Sequence, residues 1–252
     1  MDADTLYQTH NAAYLGRVKQ QFNRALTFSL CWVALLLAVF LLQDRLFATR
    51  FLAIQPQKVE GLIGVLSAPL LHGSFEHLAS NAFAILILGT LAGSLYPRAS
   101  RLALPLVWLG SGLGTWFISL GGHHIGASGV TVGLMFFLIG QGLRRRDRMS
   151  LTGLMLALFF FGGMVLSVLP QEAGVSWEYH LSGAVVGLLC GLALAGRDEQ
   201  APKRLYSWDL EPEPEADNDE LGLPKPQDVP VLWLRPDPRD GNNVLPFRRP
   251  DS

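Results

Sequence analysis

The chain has 252 residues, 50% of them apolar and only 16% charged, with a formal net charge of -1. That composition excludes an ordinary soluble enzyme and fits a polytopic membrane protein, in which long stretches must avoid charge. Asp and Glu concentrate after Gly196 while Arg dominates the short segments between apolar runs, and nothing in this balance points to nucleic acid.

A polar segment, 1–24, opens the chain and carries Arg17, Lys19 and Arg24. The first apolar run, 25–42, reaches Gln43-Asp44-Arg45 without a small-residue cleavage site, so it reads as a retained membrane helix and not a signal peptide. Further runs follow at 76–96, 102–120, 128–143, 151–169 and 179–195. A helix needs about 20 apolar residues to span the hydrocarbon, so the pattern predicts an all-α bundle of six spans over 25–197. The fourth run is the shortest, and the glycine-rich loop before it is expected to dip below the membrane surface.

Basic residues set the orientation. Those of 1–24, Arg98 and Arg101, Arg144 to Arg148, and Arg197 to Arg204 fall on one side of a six-span plan, which places both termini in the cytoplasm. Arg45, Arg50 and Lys58 on the other side weaken the bias without reversing it. Cys31 and Cys190 lie in separate apolar runs without metal-finger spacing and read as packing residues. From 198 to 252 the chain becomes rich in Pro, Asp and Glu, as in Glu211-Pro-Glu-Pro-Glu, and is expected to be a disordered cytoplasmic tail. It is either a solvated tail or one that docks a partner through 231–234 or 244–247.

Glycines report helix packing. Gly183, Gly187 and Gly191 repeat every four residues on the sixth run, and Gly129 and Gly133 do so on the fourth, so those two helices are expected to approach closely. Ser128 and His180 sit at their starts. Histidine has a reference pKa of about 6.5 and can accept the proton that makes a serine nucleophilic. Taken singly, each has a bland explanation as a helix contact or a capping group. Gly126 and Gly129 bracket Ser128 at a fresh helix N-terminus, where free N–H groups would meet an oxyanion. His77 and Asn81 are four apart on one helix face, as oxyanion donors or as a polar clasp. His72 is expected to fix its loop by a hydrogen bond involving the backbone. His123 and His124 occupy the loop that leads into Ser128. Glu178 would point away from His180 on a helix, so a Ser/His dyad is favoured over a triad.

Together these motifs resemble the rhomboid family of intramembrane serine proteases. His72, His77 and Asn81 match its His-x-x-x-x-His-x-x-x-Asn pattern; Gly126, Ser128 and Gly129 match Gly-x-Ser-Gly; His180, Gly183 and Gly187 match His-x-x-Gly-x-x-x-Gly. The resemblance covers about Ala25 to Gly196. It implies that Ser128 is the nucleophile, that His180 is general base and then acid, and that His77, Asn81 and the Ser128 N–H form the oxyanion site, with no metal or cofactor. It also implies a water-filled cavity on the non-cytoplasmic side, transmembrane protein substrates entering from the bilayer beside the fifth helix, and a bacterial inner-membrane location. Phe159, Phe160 and Phe161 either line that gate or form a lipid-facing patch. Two positions depart from the pattern: Val132 stands where many bacterial rhomboids have a tyrosine packed on the histidine, and 59–67 lacks their Trp-Arg pair.

Other classes compete with this reading. A rhomboid-like protein could bind transmembrane clients without cutting them, although such members usually lack the serine or the histidine. A zinc protease would need a His-Glu-x-x-His helix, which the chain does not contain. A transporter would call for an inverted repeat, and none is visible.

Overall fold

The computed structural model describes residues 3–46, 48–170 and 176–200. Six long helices carry the fold: α1 (Ala3–Leu46), α2 (Phe75–Leu95), α3 (Pro97–Ile118), α4 (Ser128–Arg145), α5 (Arg148–Val168) and α6 (Trp177–Ala193). Among the described residues there is no strand, only an isolated antiparallel bridge between Ile54 and His124. α2 is interrupted by a π-helical stretch at Ile85–Gly89, and α5 tightens into a 3-10 helix from Gly162. α1 begins well before its apolar run, because the polar residues ahead of it continue the same helix.

Among the described residues four helices are long and apolar enough to cross a membrane: α1 over Tyr14–Arg45, α2, α3 and α5. The remaining two of the six expected spans, α4 and α6, have 18 and 17 residues. α4 is the most enclosed; its Val132, Met135, Phe137 and Leu138 have no exposed surface. The outer helices instead present Leu106, Phe117, Met155 and Phe159 outward. In water such a girdle would be a liability, whereas in hydrocarbon it is simply the solvent-facing surface.

Lipid supplies no hydrophobic drive between helices, so close packing has to hold them. α4 and α6 meet along a glycine seam. A Cβ on Gly183 would collide with the Gly129 carbonyl, one on Gly187 with the Gly133 carbonyl, and one on Gly191 with the Phe137 carbonyl. The backbones touch because no side chain intervenes, as the glycine spacing predicts. Around this seam Tyr96 meets Phe137 edge-on, with ring centroids 5.8 Å apart.

The segment between α1 and α2 folds into short turns, Val59–Ile63, Gly64–Ser67 and Ala68–Leu70. Trp116 of α3 holds it from outside. Its indole N–H donates to the Lys58 carbonyl at 2.8 Å, and its own carbonyl accepts from the Gln57 N–H at 3.1 Å. The first loop therefore gains from α3 an indole that it does not itself contain.

At the arginine-rich end the chain is tied after α6. Arg145 donates from Nη1 to the carbonyls of Ala195 (3.0 Å) and Asp198 (2.9 Å), from Nη2 to Glu199 (3.0 Å), and from Nε to the Asp147 carboxylate (3.0 Å). The Asp198 carboxylate accepts the Arg98 and Ala99 N–H groups, both at 2.9 Å, and so caps α3. Composition assigns Asp198 and Glu199 to the tail, yet both contact the bundle. The stretches 231–234 and 244–247 lie outside the described residues.

Candidate active site

α2 starts where Ser74 accepts the His77 N–H at 3.1 Å, an N-cap that fixes the first turn. His77 and Asn81 then share one face. Asn81 is buried, and its Nδ2 meets no acceptor among the described residues. His72 precedes the cap with no exposed surface. Gln43 at the end of α1 grips its backbone from both sides: the amide donates to the His72 carbonyl at 2.6 Å, and the His72 N–H donates to Gln43 Oε1 at 3.2 Å.

The His72 ring works on a different loop. Its Nε2 accepts the Ala127 N–H at 3.4 Å, immediately before Ser128. Burial, with His77 close by, pushes its pKa down to about 4 against the opposing pull of the Leu70 backbone. The ring is therefore neutral and free to accept. The ring thus ties the loop before Ser128, while the His72 backbone is held by Gln43. His72 and His77 meet edge-on, centroids 5.1 Å apart.

Ser128 is the first residue of α4, so its N–H and that of Gly129 have no intrahelical acceptor. Gly126 supplies the sharp approach. Its φ of +113° suits glycine, its N–H donates to the Ala68 carbonyl at 2.9 Å, and a Cβ there would overlap the His77 imidazole. The His77 ring thus lies directly against the loop that presents Ser128.

His180 lies in the first turn of α6, next to Tyr179, whose buried ring packs where a Gly129 Cβ would sit. It is one turn before Gly183, which touches the Gly129 carbonyl. Both half-buried side chains, Ser128 and His180, therefore occupy the same end of the seam. No hydrogen bond joins Ser128 to His180 among the described residues. Such bonds are often long before substrate arrives.

The orientation of His180 comes from a backbone group. Its Nδ1 lies 3.2 Å from the Ser167 carbonyl, which can only accept, so the ring proton belongs on Nδ1 and Nε2 keeps its lone pair. Glu178 instead accepts from Ser119 Oγ at 3.1 Å. Sequence reading passed over Ser167 because a backbone acceptor has no side-chain signature.

His124 organises the loop ahead of Ser128, whereas His123 is exposed. Its Nδ1 is 2.6 Å from Ser176 Oγ, and its Nε2 is 3.0 Å from Ser119 Oγ and 3.1 Å from the Gly121 carbonyl. Its backbone pairs with Ile54 in both directions. Burial lowers its pKa, opposed by the Gly121 backbone and Glu178. Further along, Phe159 and Phe160 face outward, while Phe161 turns inward onto Phe83 of α2, with ring centroids 5.6 Å apart.

Residues 59–197 match the Rhomboid domain family. The chain belongs to the rhomboid family. Rhomboids are generally intramembrane serine proteases, and membership makes this all-helical chain an integral membrane protein. It is 40% identical over 191 residues to uncharacterized proteins of Mycobacterium tuberculosis and Mycobacterium bovis, covering 69% of this chain and 77% of each relative. An uncharacterized protein of Mycobacterium leprae is 35% identical over 156 residues, covering 58% of this chain and 60% of that relative. No solved structure gives a significant match. In this rhomboid the position of the family tyrosine is the fully buried Val132, and the contact that braces His180 is the Ser167 carbonyl.

Proposed function

We propose that this rhomboid is an active intramembrane serine endopeptidase that cleaves transmembrane or membrane-anchored proteins through a Ser128/His180 dyad. The observation that carries the reading is the His180–Ser167 bond, which leaves Nε2 unprotonated at the end of the seam where Ser128 begins α4. His180 Nε2 takes the Ser128 proton as Oγ attacks the scissile carbonyl. The tetrahedral oxyanion meets the Asn81 amide, the His77 ring N–H and the Ser128 backbone N–H. His180 returns its proton to the departing amine, leaving an ester on Ser128. Water, deprotonated by the same ring, then hydrolyses the ester.

The unpaired Asn81 Nδ2 supports this assignment, since a buried donor without an acceptor is costly unless something arrives to take it. Arg17, Arg98 and Arg145 gather around one crevice at the end of the bundle remote from Ser128. That supports cytoplasmic termini, a site opening toward the opposite face, and, with mycobacterial relatives, a bacterial inner-membrane location.

The test is cleavage of a transmembrane reporter in liposomes by the wild type, Ser128→Ala and His180→Ala. The reading expects cleavage by the wild type alone. Full cleavage by Ser128→Ala would refute it, and a folded wild type that binds the reporters tried without cutting them would favour the client-binding class instead.

A further inference from the structure

A second site lies away from the dyad. α1, α2 and α3, with Val130 and Leu134 of α4 behind them, line an open cavity of about 430 Å³, within the range of about 300–1,000 Å³ usual for ligand sites. Its body is apolar, built from Phe28, Trp32, Ile85, Leu104 and Leu134, and its rim carries Arg24, Arg98 and Arg101. Arg24 has no ionic partner among the described residues. Arg98 reaches only the exposed Glu199 at 3.9 Å, and Arg101 donates to the Pro97 carbonyl. Three cations around one apolar cavity form a cationic rim above a hydrocarbon-compatible body.

A separate observation lies deeper. Ser29 turns its Oγ into the α1–α2 contact, 2.8 Å from where a Gly89 Cβ would sit, and the Trp32 ring meets Trp108 edge-on with centroids 5.0 Å apart, which leaves the cavity wall apolar. At 1.5 Å rise per residue, Trp32 lies about 12 Å below Arg24 along α1. Charge at the mouth and an apolar body below it follow the order of phosphate and acyl chain in a phosphoglyceride. The π-helical stretch of α2 borders the cavity with Ile85 and Gly89, a distortion frequent at functional sites.

We propose that the cavity between α1, α2 and α3 is a binding site for an anionic phospholipid, whose phosphate is held by Arg24, Arg98 and Arg101 and whose acyl chain lies along Phe28, Trp32 and Leu104. Zwitterionic lipid carries a cationic headgroup beside its phosphate and fits this rim less well. The site is independent of the proteolytic reading.

Trp32 reports on occupancy. The full-length protein is reconstituted in phosphatidylcholine vesicles with increasing brominated phosphatidylglycerol or, separately, brominated phosphatidylcholine. The Trp32 share of quenching is the difference between wild type and Trp32→Phe. The proposal expects the anionic lipid to quench Trp32 at a several-fold lower mole fraction than the zwitterionic one. The preference should disappear in the Arg24→Gln, Arg98→Gln, Arg101→Gln triple variant and survive in the corresponding triple lysine variant, which controls for folding. Equal quenching by both lipids, or a preference that persists in the glutamine variant, would overturn it. Displacement of the lipid by soluble glycerol 3-phosphate would show headgroup recognition alone, and so reject the two-part site.

Discussion

His180 Nδ1 lies 3.2 Å from the carbonyl oxygen of Ser167, thirteen residues back along the chain at the end of α5. A carboxylate in that place would also stabilise the imidazolium formed during the reaction, whereas a neutral carbonyl mainly fixes the tautomer and the ring plane. The expected outcome is an Nδ1–H tautomer in nitrogen NMR of labelled histidine, with the His180 signal assigned by its loss in His180→Ala. An Nε2–H signal would remove the dyad's base as described.

Asn81→Ala should lower turnover about a hundred- to a thousandfold while leaving the protein folded, the usual cost of one oxyanion donor. A polar clasp would show the opposite pattern, with a lower melting temperature and little change in turnover per folded molecule. Measuring both on the same preparation separates the two.

Gly183→Ala and Gly187→Ala each force a Cβ into a carbonyl of α4. Overpacking of this kind costs about 1–3 kcal/mol. Gly183→Ala should also lower activity more than Gly187→Ala, because it pushes on Gly129 beside Ser128. Thermal unfolding in detergent gives the first effect, and cleavage rates of the folded fraction give the second.

Phe161 and Phe83 join α5 to α2, and on the proposed function a substrate helix enters beside α5. Phe161→Ala should weaken that contact and speed cleavage of a transmembrane reporter several-fold, with a lower melting temperature. An unchanged or slower rate would place substrate access elsewhere in the bundle.

Stability should fall with acid through two neutral histidines. His72 and His124 both have folded pKa values below the unfolded value of about 6.5. Their contribution is fully present above about pH 6.5 and is lost as pH falls, because the unfolded chain then binds protons that the folded one does not. For His72 the loss runs down to about pH 4 and then levels. Melting temperature against pH for the wild type and His72→Gln checks this, since the variant should be less stable at neutral pH and less sensitive between pH 6.5 and 4.

Residue patterns revealed the helix order and the α4–α6 seam because glycine spacing has a direct steric meaning on a helix. They also singled out Ser128, His180, His77 and Asn81 as polar groups with no cheap reason to sit in apolar runs. What they hid were partnerships made by main-chain atoms or by residues distant in sequence. The Ser167 carbonyl is invisible to any reading of side chains. Gln43 read as a helix end, yet it clamps His72 across 29 positions. Trp116 read as one more apolar residue of the third run, yet it carries the first loop. Asp198 read as the start of an acidic tail because net charge, not geometry, defined the boundary.

That last residue bears on how the protein is made. The N–H groups at the start of α3 wait for a carboxylate synthesised a hundred positions later, after the sixth helix. Until then α3 sits with an open end, and the arginine that finishes α4 lacks its carbonyl partners from Ala195, Asp198 and Glu199. Closure of the bundle at this end therefore follows the synthesis of all six helices, and a chain halted before residue 198 would leave the start of α3 uncapped.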